Sequence, residues 1–213
     1  MSTNVCHLIL NYAIMAMHTI CFDQIFPVFL ATPQAKSTFP FWMSGGLGLG
    51  ANTVATFMSS AGILSIALMI VLFPPVDSHF GSLSCMRASL FLYPVTYFLL
   101  PYIVAIPGPP RWPQLVAVVA IMLLKTTAAV FSFNDSSILL SEAAPSQDTL
   151  GLINGTAQTA AAAARALGPV IMGLCISLGE KNGIESLGWW FLAIVAVIGT
   201  VQVYGIRRLK VST

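Results

Sequence analysis

Six long apolar runs, separated by short polar turns, constrain this chain more than any other feature. They cover about Val5 to Thr32, Leu47 to Phe73, Met86 to Ile106, Pro113 to Leu140, Leu150 to Leu178 and Leu187 to Ile206. A helix rises about 1.5 Å per residue and the hydrocarbon core of a bilayer is about 30 Å thick, so about 20 mostly apolar residues span it. Membrane β-strands are about ten residues long and alternate in polarity, which these runs do not. Only 8% of the residues are charged and 57% are hydrophobic, too little polarity to surface a water-soluble globule. The expected fold is an all-α membrane protein: one domain, residues 1–213, of six transmembrane helices in a lipid bilayer.

The connections carry turn chemistry. Pro33 and Pro40 with the Gly45–Gly46 pair follow the first run, Pro74–Pro75 with Asp77 and Gly81 the second, and Pro107 to Trp112 the third. Ser141 to Thr149 and Gly179 to Ser186 complete the set, and none of the five is long enough for a separate domain. The first run lacks a basic leader and is too long for a signal peptide, so it reads as a spanning helix that stays in the protein. With an even number of spans, Arg87, Arg207, Arg208 and Lys210 share one side, against Lys36, Arg111 and Lys181. That narrow excess places the termini in the cytoplasm. Trp42, Trp112, Trp189 and Trp190 fall at expected helix ends, where an interfacial aromatic belt would put them.

A charge at mid-membrane costs roughly 2.5–3.5 kcal/mol on insertion, so such residues face a bundle interior or a watery cavity. His18, Asp23 and Gln24 in the first run, Lys125 in the fourth and Arg165 in the fifth are the candidates for a solute or ion pathway. Asp23 reads either as a carboxylate on that pathway or as an internal counter-ion to Lys125 or Arg165. His18 reads either as pathway or as a core histidine, and Asp135 either as buried or as a headgroup-level residue. The basic bias of the set points to an anionic or zwitterionic solute. In the fifth run, small residues recur at Gly151, Gly155, Ala160, Ala164 and Gly168, a spacing that lets helices approach closely. Pro169 then predicts a kink.

Several functions lack their signatures. There is no phosphate-binding Gly-rich loop, no H-E-x-x-H and no G-x-S-x-G. The cysteines Cys6, Cys21, Cys85 and Cys175 have neither metal-ligand nor redox spacing. No catalytic residue, metal or cofactor is expected, and a net charge of +2 gives no footprint for nucleic acid.

Four stretches carry a resemblance: HTICFDQIFPVFL from His18, GGLGLGANTVATFMSSAGILSIALMIVLFPPV from Gly45, YPVTYFLLPYIV from Tyr93, and LGLINGTAQTAAAAARALGPVIMG from Leu150. In order and across nearly the whole chain, they resemble the C-terminal half of a fungal major facilitator superfamily transporter of the drug:proton antiporter-like branch. The resemblance implies a six-helix half-bundle forming one wall of a central cavity. It also implies a small-molecule solute, alternating access and proton coupling. A single wall implies a partner: an N-terminal half, a second copy or a full-length relative. A truncated or regulatory fragment that does not itself transport is the alternative. The resemblance assigns gating to Asp77, Gly81 and Arg87 around a cytoplasmic loop, and to Asn154, Gly155, Gln158, Gly168 and Pro169 of the fifth run. Where the branch carries a basic pair before Phe80–Gly81, this chain has Ser78–His79.

Overall fold

A computed structural model describes residues 3–35, 43–106 and 112–206. Lys36, Trp42, Arg111, Arg207, Arg208 and Lys210 lie outside the described residues. Six helical stretches follow in order: α1 Thr3–Ala31, α2 Ala51–Phe80, α3 Ser82–Ala105, α4 Trp112–Glu142, α5 Gln147–Lys181 and α6 Leu187–Val203. The first five are long and apolar enough to cross a membrane, and α6 is a shorter apolar helix of 17 residues.

The central helix is α1. Its buried residues, Val5, Leu8, Tyr12, Met15, Cys21, Phe22, Phe26 and Phe29 among them, take up most of its circumference and leave a strip that includes Leu10 and Val28 exposed. A helix apolar on all sides belongs in an interior. It packs along α5 and against α6, while α3 packs on α4 and α6. Polar groups tie the helices where lipid supplies no partner. Asn11 Nδ2 donates to Gly199 O at 2.8 Å and to Gln202 Oε1 at 2.7 Å, joining α1 to α6. Thr200 Oγ1 donates to Leu90 O at 2.9 Å, joining α6 to α3.

α2 does not stop at the proline pair. The helix continues through Pro74 and Pro75 to Phe80 because the turn before them, Leu68–Leu72, widens to a π-helix. The Phe73 N–H reaches back to Leu68 O, five residues earlier. The wider turn relieves the clash between a proline ring and the carbonyl one turn back. The break comes at Gly81, whose φ of 79° an L side chain rarely adopts. Residues 43–50 fold back over the end of α1, where Leu47 N–H donates to Phe29 O and Gly48 N–H to Thr32 O. A Cβ on Gly46 would lie 1.9 Å from Phe29 O, so only glycine fits there.

The small residues of α5 fall on two faces. Ile153, Ala157, Ala161, Gly168 and Met172 are buried. A Cβ on Gly168 would meet Cys21 Sγ at 2.9 Å and Met17 Cγ at 3.0 Å, so this glycine lets α1 and α5 approach closely. Gly151 and Gly155 have nothing within 4 Å of where a Cβ would stand. They line an open groove of about 790 Å³ with Leu152, Thr156, Thr159, Ala160 and Ala163. α2 has no buried residue in its apolar stretch. α2 and the outer face of α5 are therefore both left uncovered.

Candidate functional site

α1 and α4 bring Asp23 and Lys125 together. Lys125 Nζ donates to Asp23 Oδ1 as an ion pair within the span. The two sides of the pair differ: the Lys125 side chain is 14% exposed and Asp23 53%. The ammonium sits inside and the carboxylate faces the opening. Lys125 Nζ also lies 5.2 Å from the centroid of the Phe22 ring, where the negative face of the π-system attracts a cation. Phe22 stacks on Phe26 at 4.9 Å and on Tyr97 at 5.2 Å. Around the pair is a cavity of about 200 Å³, lined by Phe22, Asp23, Phe26, Met58, Ala61, Met122, Lys125 and Thr126. α1, α2 and α4 all contribute to its walls.

The local sequence explains the pairing. Phe22 and Phe26 are one turn apart and share a face of α1, with Asp23 at its margin. On α4, the one basic residue of a long apolar stretch cannot reach either membrane surface from mid-span. The carboxylate of a neighbouring helix is its available partner.

His18 takes a different place. It is 1% exposed, with Nδ1 2.9 Å from Tyr97 Oη and its ring 4.7 Å from the Tyr93 ring. Tyr93 Oη in turn lies 3.0 Å from Ser132 Oγ. This buried polar and aromatic cluster stands behind Phe22, and Trp189 closes it by packing edge-on against Phe22 and Phe29. Trp189 is thus a core residue, while Trp112 is 71% exposed. Gln24 is exposed next to Asp23. Arg165 is half-buried on α5, and no described residue forms a hydrogen bond or ion pair with it.

The residues assigned to gating separate into two groups. Arg87 Nη2 donates to Ile206 O at 2.7 Å, and its guanidinium lies 5.2 Å from the Tyr204 centroid. A cation at the C-terminal end of α6 complements the negative end of the helix dipole. Gln158 Nε2 donates to Tyr12 Oη at 3.2 Å, and Gly168 packs on α1. Asn154 and Gly155 face outward, and Pro169 lies within an unbroken α5. Asp77 has one buried carboxylate oxygen without a partner. Its charged neighbour is Asp135 of α4, which is 0% exposed with both oxygens unpartnered. Position along the run left Asp135 undecided between core and headgroup level. Its burial in the structure places it in the core.

The arrangement defines a polytopic helical membrane protein with an ion pair on the wall of an internal cavity. Over 196 residues the chain is 41% identical to the major facilitator superfamily multidrug transporter mfsB of Aspergillus fumigatus, matching 91% of this chain and 32% of that protein. It is 21% identical to a probable peptide/nitrate transporter of Arabidopsis thaliana over 82% of this chain and 34% of the relative. It is 25% identical to the major facilitator-type transporter psiT2 of Psilocybe cyanescens over 78% and 34%. The chain is a member of the major facilitator superfamily and spans about a third of the length of the curated relatives it matches. No family model matches it, and no solved structure does.

Proposed function

We propose that this chain is one six-helix wall of a membrane transporter and contributes Asp23 and Lys125 to a solute pathway. The observation that carries the reading is the ion pair on an open cavity wall. A pair serving packing alone has no reason to keep its carboxylate half exposed in an apolar span. The uncovered α2 and the uncovered outer face of α5 support the second element of the proposal, that another helical half completes the cavity. The glycines Gly151 and Gly155 on that outer face allow a partner helix to approach closely. Rocking of the two halves would expose the cavity alternately to each side.

Arg165, half-buried and with no ion pair to a described residue, extends the pathway along α5. The pairing of Lys125 with Asp23 removes half of the basic bias on which an anionic solute was inferred. Cytoplasmic termini and proton coupling complete the proposal. Asp77, Arg87 and the α5 motif residues are assigned to the transition between states. His18 acts indirectly, by stiffening α1 behind Phe22. The same uncovered face suits the second reading, a fragment that associates with a full-length relative without transporting.

The test is transport by the complete protein in a host stripped of its own exporters, using a solute panel that spans charge and size. The expected result is export of at least one solute, abolished by replacing Asp23 and Lys125 together. Export unaffected by that double replacement would remove these residues from the pathway. Co-purification of this chain with an active relative, with no export of its own, would establish the second reading.

A further inference from the structure

We propose that the groove between α3 and α6 binds an anionic phospholipid, with Arg87 holding the headgroup phosphate and the groove one acyl chain. This site lies apart from the solute pathway, and neither reading depends on the other. The first observation is an uncompensated cation. Arg87 is partly exposed near the start of α3, and its one hydrogen bond to a described residue takes Nη2 to Ile206 O. The one ion pair among the described residues is Lys125–Asp23, so no described carboxylate neutralises Arg87. Its Nε is buried without an acceptor, which leaves the Nη edge to meet a ligand. A guanidinium fork matches a phosphate in geometry as well as in charge. Tyr204, 62% exposed, lies 5.2 Å from the guanidinium and keeps it beside the outer surface.

The second observation is a groove that leads away from this cation. It measures about 570 Å³ and is lined by Phe91, Pro94 and Phe98 of α3 and by Trp190, Ile194 and Val197 of α6. No charged or hydroxyl-bearing side chain lines it. Arg87, Phe91, Pro94 and Phe98 are spaced by four, three and four residues and share one face of α3. Trp190, Ile194, Val197, Val201 and Tyr204 follow the same spacing on α6. The groove therefore starts about one turn from Arg87 and Tyr204 and runs toward Trp190. From Arg87 to Phe98 the helix rises about 16 Å, close to half of the roughly 30 Å hydrocarbon core. That is the depth of one leaflet, so the charge stands where a headgroup begins and the groove where its acyl chain runs. The groove is also fixed in shape. Pro94 has no N–H for Leu90 O, and Thr200 Oγ1 donates to that carbonyl instead at 2.9 Å, tying α3 to α6. An acyl chain gains little by leaving one hydrocarbon surface for another, so the headgroup charge supplies the selectivity. Directly after Ile206 the sequence reads Arg207–Arg208–Leu209–Lys210, and basic residues at a membrane end gather anionic lipid around them.

The test uses the 213-residue chain in phosphatidylcholine nanodiscs doped with a phosphatidylserine that carries a photoactivatable diazirine midway along one acyl chain. Phosphatidylcholine with the same diazirine is the control, and cross-linked peptides are mapped by mass spectrometry. The serine lipid is expected to label residues 91–98 and 190–198 roughly fivefold or more above the choline lipid, the factor that one basic residue near the membrane surface supplies. Arg87→Gln, checked for retained helicity, is expected to bring that labelling down to the choline level, and Arg87→Lys, which keeps the charge, to preserve a preference. Val197→Trp, which fills the groove and leaves Arg87 in place, is expected to move the label out of these segments. Soluble glycerophosphoserine at the same concentration is expected to leave the labelling unchanged, because the groove needs the acyl chain. Equal labelling by the two lipids, a preference that survives Arg87→Gln, label mapped outside both segments, or displacement by glycerophosphoserine would each overturn the proposal.

Discussion

Breaking the Asp23–Lys125 pair from its two ends should have unequal consequences. Asp23→Asn leaves an ammonium 14% exposed and stranded among Phe22, Phe26 and Met122. Removing one partner of a buried pair costs about 3–5 kcal/mol, because the remaining charge stays desolvated or must give up its proton. Lys125→Met leaves a carboxylate that is 53% exposed and can take solvent in the cavity. That loss belongs with exposed pairs, at about 1 kcal/mol or less. Replacing both residues should cost little more than Lys125→Met, since neither charge remains. For a chain of this size, 1 kcal/mol moves the melting midpoint by roughly 2–4 °C. Thermal unfolding in detergent, followed by helical circular dichroism, should therefore show Asp23→Asn lower by roughly 6–20 °C and Lys125→Met by no more than roughly 4 °C. The double variant should recover most of the Asp23→Asn loss. A Lys125→Met midpoint as low as that of Asp23→Asn would refute the assignment of the ammonium as the enclosed end.

Three further outcomes follow from the packing. Gly168→Leu forces a side chain into Cys21 and Met17 and should lower the melting midpoint sharply, whereas Gly155→Leu, on the open groove, should leave the midpoint of this chain unchanged and weaken its assembly with a partner half, read by cross-linking. Asp135→Asn removes a fully buried carboxyl that faces the Asp77 carboxyl and receives no other hydrogen bond, and should raise stability by roughly 1–3 kcal/mol in denaturant titration; a loss would show that the two carboxyls form a favourable pair in the working protein. Tyr97→Phe deletes the hydroxyl paired with His18 Nδ1 and should cost about 1–3 kcal/mol by the same measurement, more than an exposed tyrosine would.

Much of the architecture was legible because lipid imposes a length rule on apolar runs, and each run lies largely within one helix of the bundle. The exception at Pro74–Pro75 has a physical cause. Proline reads as a break, yet a single widened turn at Leu68–Leu72 carries the helix on to Gly81, and nothing in residue type signals a π-turn. The juxtaposition of Asp23 and Lys125 was one of two partnerships the sequence left open, since it depends on how α1 and α4 pack. The division of α5 into a closed small-residue face at Gly168 and an open one at Gly155 also depends on packing. Both positions obey the same four-residue spacing, and only the neighbouring helix tells them apart. His18 shows the same limit: a mid-span histidine is equally compatible with cavity and core until Tyr93 and Tyr97 are seen around it.

The central claim is that the space beside Asp23 and Lys125 is a watery solute path. Cysteine accessibility tests it most directly. Met58→Cys, which keeps the ion pair, is placed in a complete transporter freed of its other cysteines and labelled in sealed vesicles with a membrane-impermeant maleimide. Ile194→Cys, exposed on the outer surface of α6, serves as the lipid-facing control. Maleimide reacts with the thiolate, which forms only where water reaches. The account predicts that Met58→Cys labels much faster than Ile194→Cys and that a transported solute slows it. Labelling no faster than the control, with or without solute, would contradict it.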